Sequence, residues 1–346
     1  MVSRKNDIHL LKEHNTNLVL NALMEMKTAT RSQLAEKTGL SQPTVNTIVQ
    51  ELSNQGIVSP GTFAAAAGGR RPQCYTFETN HLRAATIRVY EQSLEYSVVT
   101  IDGTVKLRNS WALADNGSTL EGLQMLVQSL SKQDGDIRVF SIGVPGVVGP
   151  GGMLHAIPQI PDLEGVALAH TLQKQVGVPV YVENDMNLIA LGSAGAGSGK
   201  TTSDIVFVHI GNGVGAGIVL GGRIIRGFSS FAGEIAFIVD PLAADICGES
   251  FENRLNKAES VAEQAKLISG LVVNIICLLN PPVISFGSSL ATKELLWHLH
   301  RECEKRLPLW TLPMFQLIED FDVAYDKGLL DVVYDILLQS QNKFSI

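Results

Sequence analysis

An amide and a carboxylate stand side by side where a predicted strand ends. The strand covers residues 180–183, and Asn184 and Asp185 follow it, with side chains that we expect to project into a cleft. An amide donates and accepts hydrogen bonds and a carboxylate accepts twice, so the pair suits adjacent sugar hydroxyls. In a phosphotransfer enzyme, the same carboxylate would take the proton of the attacking hydroxyl. The alternative is that Asn-Asp after a strand only caps a helix.

A glycine-rich segment follows at residues 211–217, with the sequence Gly-Asn-Gly-Val-Gly-Ala-Gly. Such a segment can expose backbone amides to a phosphate group. It can equally form a tight turn between two strands, and the sequence leaves both interpretations open.

A second group of polar side chains lies near the N-terminus, on a predicted helix that follows Ser41. Val45, Ile48, Val49 and Leu52 fall at the i, i+3, i+4, i+7 positions of that helix and form one apolar stripe. Small polar residues occupy the opposite face and the first turn, where they suit base edges and phosphates in a major groove. The candidate DNA contacts of the whole N-terminal region are Arg31, Gln42, Pro43, Thr44, Asn46, Thr47, Gln50, Arg70 and Arg71.

Local signals position this helix within a three-helix unit. Residues 15–27 carry apolar side chains on one helical face, and Thr30 with Gln33 forms a capping box that begins a second helix. Gly39 permits the left-handed conformation that ends it. Ser41 can cap the third helix, whose first turn tolerates Pro43.

A wing is predicted after the three helices. Residues 57–58 and 74–77 read as short strands joined by residues 61–72, and Arg70 and Arg71 near the tip suit a minor groove or phosphates. A plain helical packing module would show the same apolar stripe, and the arginines could belong to a solvated loop. The hairpin favours a winged helix-turn-helix over residues 15–77.

Charge is divided unevenly along the chain. The 346 residues carry a net charge of −7, of which residues 1–80 contribute about +2 and residues 81–346 about −9. A weakly basic head on an acidic body fits DNA contact confined to the head, although chance gives the same asymmetry.

Composition and cysteine spacing also indicate the cellular compartment of the chain. The chain is 45% hydrophobic and 18% charged, as is typical of a globular protein, and its four cysteines form no CxxC pair, which argues against a disulfide framework and a zinc knot. We expect the apolar residues 270–279 to be too short to span a bilayer. The first seven residues carry no apolar signal core. The prediction is a cytoplasmic protein without membrane contact.

The body is predicted to form two α/β lobes with a cleft between them. We expect three domains: a winged helix-turn-helix at 1–80, a first lobe at 81–180 and a second lobe at 181–346. In the first lobe, strands are predicted at 84–90, 94–101, 105–110 and 139–142, with a helix at 120–132. In the second lobe, strands are predicted at 180–183, 205–210, 214–220 and 283–286, with helices from 186, at 261–279 and at 290–306.

The head and an ordered series of motifs resemble the ROK family, which contains sugar-responsive repressors and sugar kinases. The matching segments are Gly-Val-Pro-Gly at 143–146, the loop at 158–165, Glu-Asn-Asp-Met-Asn at 183–187, the glycine-rich segment at 211–217 and Gly-Glu-Ile at 233–235. The resemblance implies an actin-like (ribonuclease H-like) α/β body of the sugar-kinase type. It also implies a set of sugar-binding residues: Gly146, Gln159, Asn184, Asp185, Glu234 and Glu252.

Departures from the family pattern predict that this chain binds neither a nucleotide nor a metal ion. Family kinases carry Asp-x-Gly-Gly-Thr on the first strand of the body, whereas residues 86–91 here read Thr-Ile-Arg-Val-Tyr-Glu, and the adenosine loop is altered to Phe-Gly-Ser-Ser at 286–289. Ala236-Phe237 stands where the zinc-binding histidine is expected, and Cys247 is the one cysteine of the following run. One thiolate and no histidine cannot close a tetrahedral zinc site, so we expect no metal and no cofactor.

The resemblance therefore implies a transcriptional regulator, expected to be a repressor and not an enzyme. Its partners would be double-stranded operator DNA and a sugar or sugar phosphate between the lobes, and a homodimer or tetramer is expected. One alternative is an active kinase that phosphorylates a hexose with ATP. Another is a DNA-binding protein whose pocket has decayed and whose partner is a protein.

Overall fold

The structure of the chain is a computed structural model. It describes residues 12, 15–16, 18–20, 22–23, 25–54, 56–63, 72–78, 83–100, 103–113, 117–194, 204–211, 213–238, 251–288 and 290–340. Arg70 and Arg71, Cys247 and the tip of the predicted wing lie outside these residues.

The head is a helical unit with a small sheet. The described residues within 12–26 are helical, and they are followed by β1 (Thr28–Thr30), α1 (Arg31–Thr38), α2 (Gln42–Asn54), β2 (Val58–Phe63) and β3 (Gln73–Phe77). The three strands pair antiparallel in the order β1-β3-β2. Strand β1 had no counterpart among the sequence predictions.

Local signals confirm the predicted boundaries of the head helices. Thr30 and Gln33 form the reciprocal capping box at the start of α1, and Gly39 ends the helix with φ +70°. Ser41 Oγ accepts the amide of Thr44 at the start of α2. The predicted stripe of Val45, Ile48, Val49 and Leu52 is buried.

The first lobe is a five-stranded mixed sheet covered by helices. Its elements are β4 (Arg83–Val89), β5 (Ser93–Thr100), β6 (Val105–Ala112), α3 (Thr119–Gln133), β7 (Ile137–Val144), β8 (Val147–Val148), β9 (Leu154–His155), α4 (Leu168–Val176) and β10 (Val180–Asn184). The strand order is β10-β7-β4-β5-β6, in which β4, β7 and β10 run parallel. Apolar residues on one face of this sheet form a core with α3 and α4.

The second lobe repeats the topology. Its elements are α5 (Asp185–Ser193), β11 (Ile205–Gly211), β12 (Gly213–Leu220), β13 (Arg223–Ile224), α6 (Phe251–Asn256), α7 (Val261–Leu279), β14 (Val283–Gly287), α8 (Lys293–Glu304), β15 (Met314–Leu317) and α9 (Phe321–Ser340). The order β13-β12-β11-β14-β15 is the same sequence of three antiparallel strands and two parallel additions. This repeat confirms the predicted actin-like body.

The expected boundary between the lobes after residue 180 is wrong. Strand β10 pairs in parallel with β7, so residues 180–184 belong to the sheet of the first lobe. The chain changes lobe at the junction of Asn184 and Asp185. The sequence pattern alone does not say which sheet a strand joins.

Helix α9 connects all three parts of the molecule. Tyr325 packs in a core with α5 of the second lobe, and Val333 belongs to the core of the head with Ala84, Val99 and Val139 of the first lobe. The helix crosses α5 at very short range, because a Cβ added at Gly328 would lie 1.9 Å from the carbonyl oxygen of Leu188. The two helices therefore touch backbone to backbone.

Helix α7, at 19 residues, is long and apolar enough by length and composition to cross a membrane. The expectation that this region is too short was based on residues 270–279 alone and is corrected by the helix as a whole. Residues of α7 such as Ile268, Val272 and Ile276 are buried in the core of the second lobe with β14 and α8. This packing accounts for the apolar composition of the helix.

Adding a methyl group at the crossing of α5 and α9 tests this packing. We expect Gly328→Ala to lower the free energy of unfolding by about 1–3 kcal/mol, because the methyl would overlap the carbonyl of Leu188. Gly270→Ala in α7 is the matched control, since a Cβ there meets open space and raises helix propensity by about 1 kcal/mol. Urea denaturation measures both. Equal stability of the two variants would contradict the close crossing.

Candidate functional site

Helix α2 presents a polar surface to solvent. Gln42, Pro43, Asn46, Thr47 and Gln50 are exposed, opposite the buried stripe. The hydroxyl of Thr47 donates to the carbonyl of Pro43 at 3.0 Å, and Gln50 Nε2 donates to Asn54 Oδ1 at 3.0 Å. Within the described part of the head, Asn46 has no internal hydrogen-bond partner. This surface is free to meet another molecule.

Two further predicted DNA contacts are less exposed. Thr44 is half-buried and its hydroxyl lies 2.8 Å from that of Ser41. The guanidinium of Arg31 lies over the ring of Tyr75, 4.9 Å from its centroid. Arg31 therefore joins α1 to β3, a structural contact that its sequence position does not reveal.

Four of the predicted sugar-binding residues meet where the chain changes lobe. Asn184 caps α5 by accepting the amide of Asn187 at 3.0 Å, and its Nδ2 donates to the carbonyl of Gly146 at 2.9 Å. Asn184 is therefore a helix cap, which was the alternative to ligand binding in the sequence analysis. Asp185 begins α5 and accepts the amide of Met186 at 2.8 Å. Glu234 stands next to the short 3₁₀ turn Ile235–Phe237.

The two carboxyl groups of this cluster are electrically unfavourable to each other. Burial raises the pKa of Asp185 to about 7; the hydrogen bond from Met186 opposes the rise, and the charge of Glu234 adds to it. Burial also raises the pKa of Glu234. Near neutral pH, the pair can accept hydrogen bonds from hydroxyl groups and, when protonated, donate one.

Gly146 fixes the turn opposite these carboxyls. Its φ is +112°, and an added Cβ would lie 3.0 Å from both the carbonyl oxygen of His155 and the Cβ of Ile157. Only glycine fits such a position without strain. Gln159 is exposed in the following loop, and no described contact joins its side chain to the cluster.

Glu252, on α6, contacts the glycine-rich segment. Its Oε1 accepts the amide of Gly213 at 2.8 Å. Gly211 and Gly213 face each other across the β11–β12 turn, so the described part of this segment forms the tight turn of the two alternatives. Glu252 has no described contact with Asp185 or Glu234.

An ion pair that sequence reasoning missed lies beside Asn184, and its carboxylate is buried. Glu183 is 2% exposed and binds the guanidinium of Arg226, whose Nε lies 2.8 Å from Glu183 Oε2. Tyr181 and Asn187 also donate to this carboxylate, each at 2.9 Å. The carboxylate is fully satisfied, and it ties β10 of the first lobe to the loop after β13.

A second missed cluster occupies the position of the altered phosphate loop. Arg88 is 5% exposed on β4, and its guanidinium donates to Asp322 Oδ1 at 2.6 Å, to the Asp322 carbonyl at 2.7 Å and to Asp326. It lies 5.0 Å from the ring centroid of Tyr325. Burial opposes the charge, but Asp326 and Tyr90 outweigh it, so the pKa of Arg88 is above its ordinary value. The spacing of Asp322 and Asp326, one helical turn apart, is the signal in the sequence.

Internal contacts involve the segments where the sequence departs from the nucleotide loops of the family kinases. The only described cation on the altered loop is bound to two internal carboxylates, and the amide of Gly213 is bound to Glu252. The ring of Phe321 lies against Gly287 of the altered adenosine loop, at 2.0 Å from where a Cβ would stand. Among the described residues, no three His, Cys, Asp or Glu side chains are grouped to hold a metal ion. The predicted absence of a zinc site at residues 239–250 lies outside them.

The fold and these sites define a class: a winged helix-turn-helix joined to an actin-like, two-lobed body of the sugar-kinase type. A model of the ROK family matches residues 87–249, and a model of winged helix-turn-helix DNA-binding domains matches residues 13–59. The chain is therefore similar to the ROK family over residues 87–249 and to winged helix-turn-helix domains over residues 13–59.

Two relatives are regulators by name. The chain is 27% identical over 249 residues to the xylose repressor of Caldicellulosiruptor bescii. The matched region covers 69% of this chain and 61% of that protein. It is 25% identical over 244 residues to the DNA-binding transcriptional dual regulator NagC of Escherichia coli strain K12, covering 68% and 60%. The matched part thus spans about three-fifths of these relatives.

Solved structures give the same fold. A ROK family transcriptional regulator, described as a homologue of the Escherichia coli Mlc protein, superposes with a TM-score of 0.74 at 19% identity and covers 96% of this chain and 98% of its own. A ROK family glucokinase from Streptomyces griseus, in complex with glucose and AMPPNP, gives 0.56 at 18% identity and covers 72% and 98%. The regulator matches head and body together.

The raised pKa of Asp185 predicts a pH-dependent cost to folding. Because the folded pKa of about 7 exceeds the unfolded value of 3.8, the ionised carboxyl costs more stability as the pH rises through this interval. We expect Asp185→Asn to raise the free energy of unfolding by about 2 kcal/mol more at pH 8 than at pH 5. Glu91→Gln in an exposed turn is the control. A gain that is equal at both pH values would contradict the burial of this carboxyl.

Proposed function

We propose that this chain is a sugar-responsive transcription regulator that binds operator DNA through α2 and a sugar between its two lobes. The observation that carries the proposal is the exposed polar face of α2 on a head whose core is continuous with the body through α9. A recognition helix needs such a face for base edges in the major groove. The regulator names of the two relatives support the same reading.

The sugar site of the proposal is the cluster of Asp185, Glu234, Asn184 and Gly146. Carboxylates beside a capped helix suit the hydroxyls of a sugar, and the cluster lies where the two lobes meet. Gln159 and Glu252 belong to the proposed site at its edge, through the loop after Gly146 and the turn at Gly213. Binding there would act on the lobes that carry the head.

The proposal includes repression, a cytoplasmic setting without membrane contact, and a homodimer or tetramer. Two heads must reach two half-sites about one helical turn apart, or a multiple of that distance. A ligand that changes the spacing of the heads would therefore change operator affinity. Catalysis is not part of the proposal, because the segment at 86–91 lacks the glycines of a phosphate loop and its Arg88 is paired with Asp326.

A selection of sheared genomic DNA tests the proposal. The purified chain is immobilised, and bound DNA is sequenced with and without a pool of sugars and sugar phosphates. We expect enrichment of a few sites with inverted repeats, reduced by one member of the pool. Recovery of bulk DNA without enriched sites would overturn the DNA-reading part. Transfer of the γ-phosphate of ATP to a pooled sugar would overturn the non-catalytic part.

Truncation of α2 side chains gives a finer prediction. We expect Asn46→Ala and Gln50→Ala each to weaken binding to an enriched site by about 10–100-fold, since a lost bidentate base contact costs about 1–3 kcal/mol. Gln128→Ala on the exposed face of α3 is the matched control and should bind like the parent chain. Fluorescence anisotropy with labelled duplex measures all three. Unchanged affinity of both α2 variants would show that this face does not read DNA.

A further inference from the structure

We infer that the effector of this chain is an uncharged sugar and not a sugar phosphate. The inference rests on the proposed function, since it names the ligand class of the same interlobe site. It follows from the state of the donors around the site. In the part of the chain that the structure describes, the arginines and amides near the site are already bound to carboxylates or amide oxygens of the chain itself.

The first such donor is Arg88. It lines a cavity of about 220 Å³ between the first sheet and the start of α9, together with Thr86, Ser97, Arg108, Asp322 and Asp326. Arg88 is bound to both aspartates, and Arg108 is bound to Asp326. With Glu95 at 3.7 Å from Arg88, the cluster holds three carboxylates and two guanidinium groups. An added phosphate would have to displace a carboxylate from a buried arginine, whose loss of a partner is costly.

The Arg88 cluster and the proposed sugar site share a neighbouring residue, Tyr325. Tyr325 stands between them: its ring lies under Arg88, and the charge of Asp185 raises its pKa after the larger effect of burial. The tyrosine hydroxyl would lie 2.1 Å from a Cβ on Gly143, at the start of the turn that carries Gly146. Tyr325 therefore packs against both the Arg88 cluster and the turn that leads to Gly146.

The second cation of the cleft is also neutralised. In the described part of the chain, Arg226 is the other arginine bound to the residues around Asn184, and its guanidinium is paired with buried Glu183. The pair carries no net charge, and Glu183 is 2% exposed. Arg226 cannot turn to a ligand without leaving this carboxylate unpaired in the interior.

The backbone donors are occupied in the same way. The start of a helix attracts anions through its free amides, but at α5 the amide of Met186 is bound to Asp185 and that of Asn187 to Asn184. At the β11–β12 turn, the amide of Gly213 is bound to Glu252. At both of these described places, the amides that an anion would need already bind an acceptor of the chain.

The described side chains of the site that carry an ionisable group, Asp185 and Glu234, are acidic. Asp185 and Glu234 lie near each other, and a phosphate dianion between them would add to the repulsion that already acts on this pair. Hydroxyl groups carry no such penalty and supply the donors that carboxylates need. The charge of the site therefore selects an uncharged ligand.

Calorimetry on the full chain tests the inference. The probes are xylose, glucose, N-acetylglucosamine, their available phosphates, and inorganic phosphate alone. We expect one neutral sugar to bind and its phosphate to bind at least 100-fold more weakly. A phosphate that binds as tightly as its parent sugar, or more tightly, would overturn the inference while leaving sugar sensing intact. Failure of every sugar and every phosphate would overturn the sensing part of the proposed function, and the inference with it.

A variant that removes a carboxylate from Arg88 gives a second test of the inference. Asp326→Asn removes one charge from the Arg88 cluster, and we expect the affinity of the phosphate relative to its sugar to rise about tenfold or more. Glu294→Gln on the exposed side of α8 is the control for the loss of one negative charge. Thermal denaturation verifies that both variants fold. An unchanged affinity ratio in folded Asp326→Asn would show that the internal carboxylates do not set the choice.

Discussion

The contact between Arg88 and helix α9 is the interaction on which the rest of this molecule depends. A guanidinium in the middle of a buried strand must be neutralised, and Asp322 and Asp326 do so from more than 200 residues away in the chain. The first lobe is thereby fastened to a helix whose other contacts lie in the second lobe and the head.

Helix α9 gives the sugar site and the head a shared neighbour. It spans 20 residues, roughly 30 Å as an α-helix. Tyr325 near its start lies beside Asp185, Gly328 in its middle crosses α5, and Val333 near its end packs in the core of the head. A ligand that moves α5 must move or strain α9, because the two backbones are in contact. The proposed response to sugar thus has a continuous packed route to the DNA-reading surface.

The head was predictable from sequence because its signals are local. The capping box of Thr30 and Gln33, the left-handed Gly39 and the apolar stripe of α2 all lie within a few residues of the structure they determine. The lobes were predictable as alternating strands and helices, but strand β10 was assigned to the wrong lobe, since pairing is a long-range property. The motif order of the body supplied the fold where periodicity alone would not.

The contacts that define the site were harder to predict from the sequence. Arg88 and Arg226 look like ordinary polar positions, and their partners Asp326 and Glu183 are distant in sequence. Helix α9 was not predicted, and its place between the lobes cannot be read from a local pattern. Asn184 was expected to face the ligand, yet its side chain caps α5 and holds Gly146. Residues next to a ligand site are often used to shape it.

Reciprocal linkage between sugar and operator is the decisive measurement on this chain. Operator affinity is measured by anisotropy with and without saturating neutral sugar, and sugar affinity by calorimetry with and without operator duplex. We expect each ligand to change the affinity of the other by the same factor, about 5–150-fold. Independence of the two affinities in a chain that binds both ligands would contradict it.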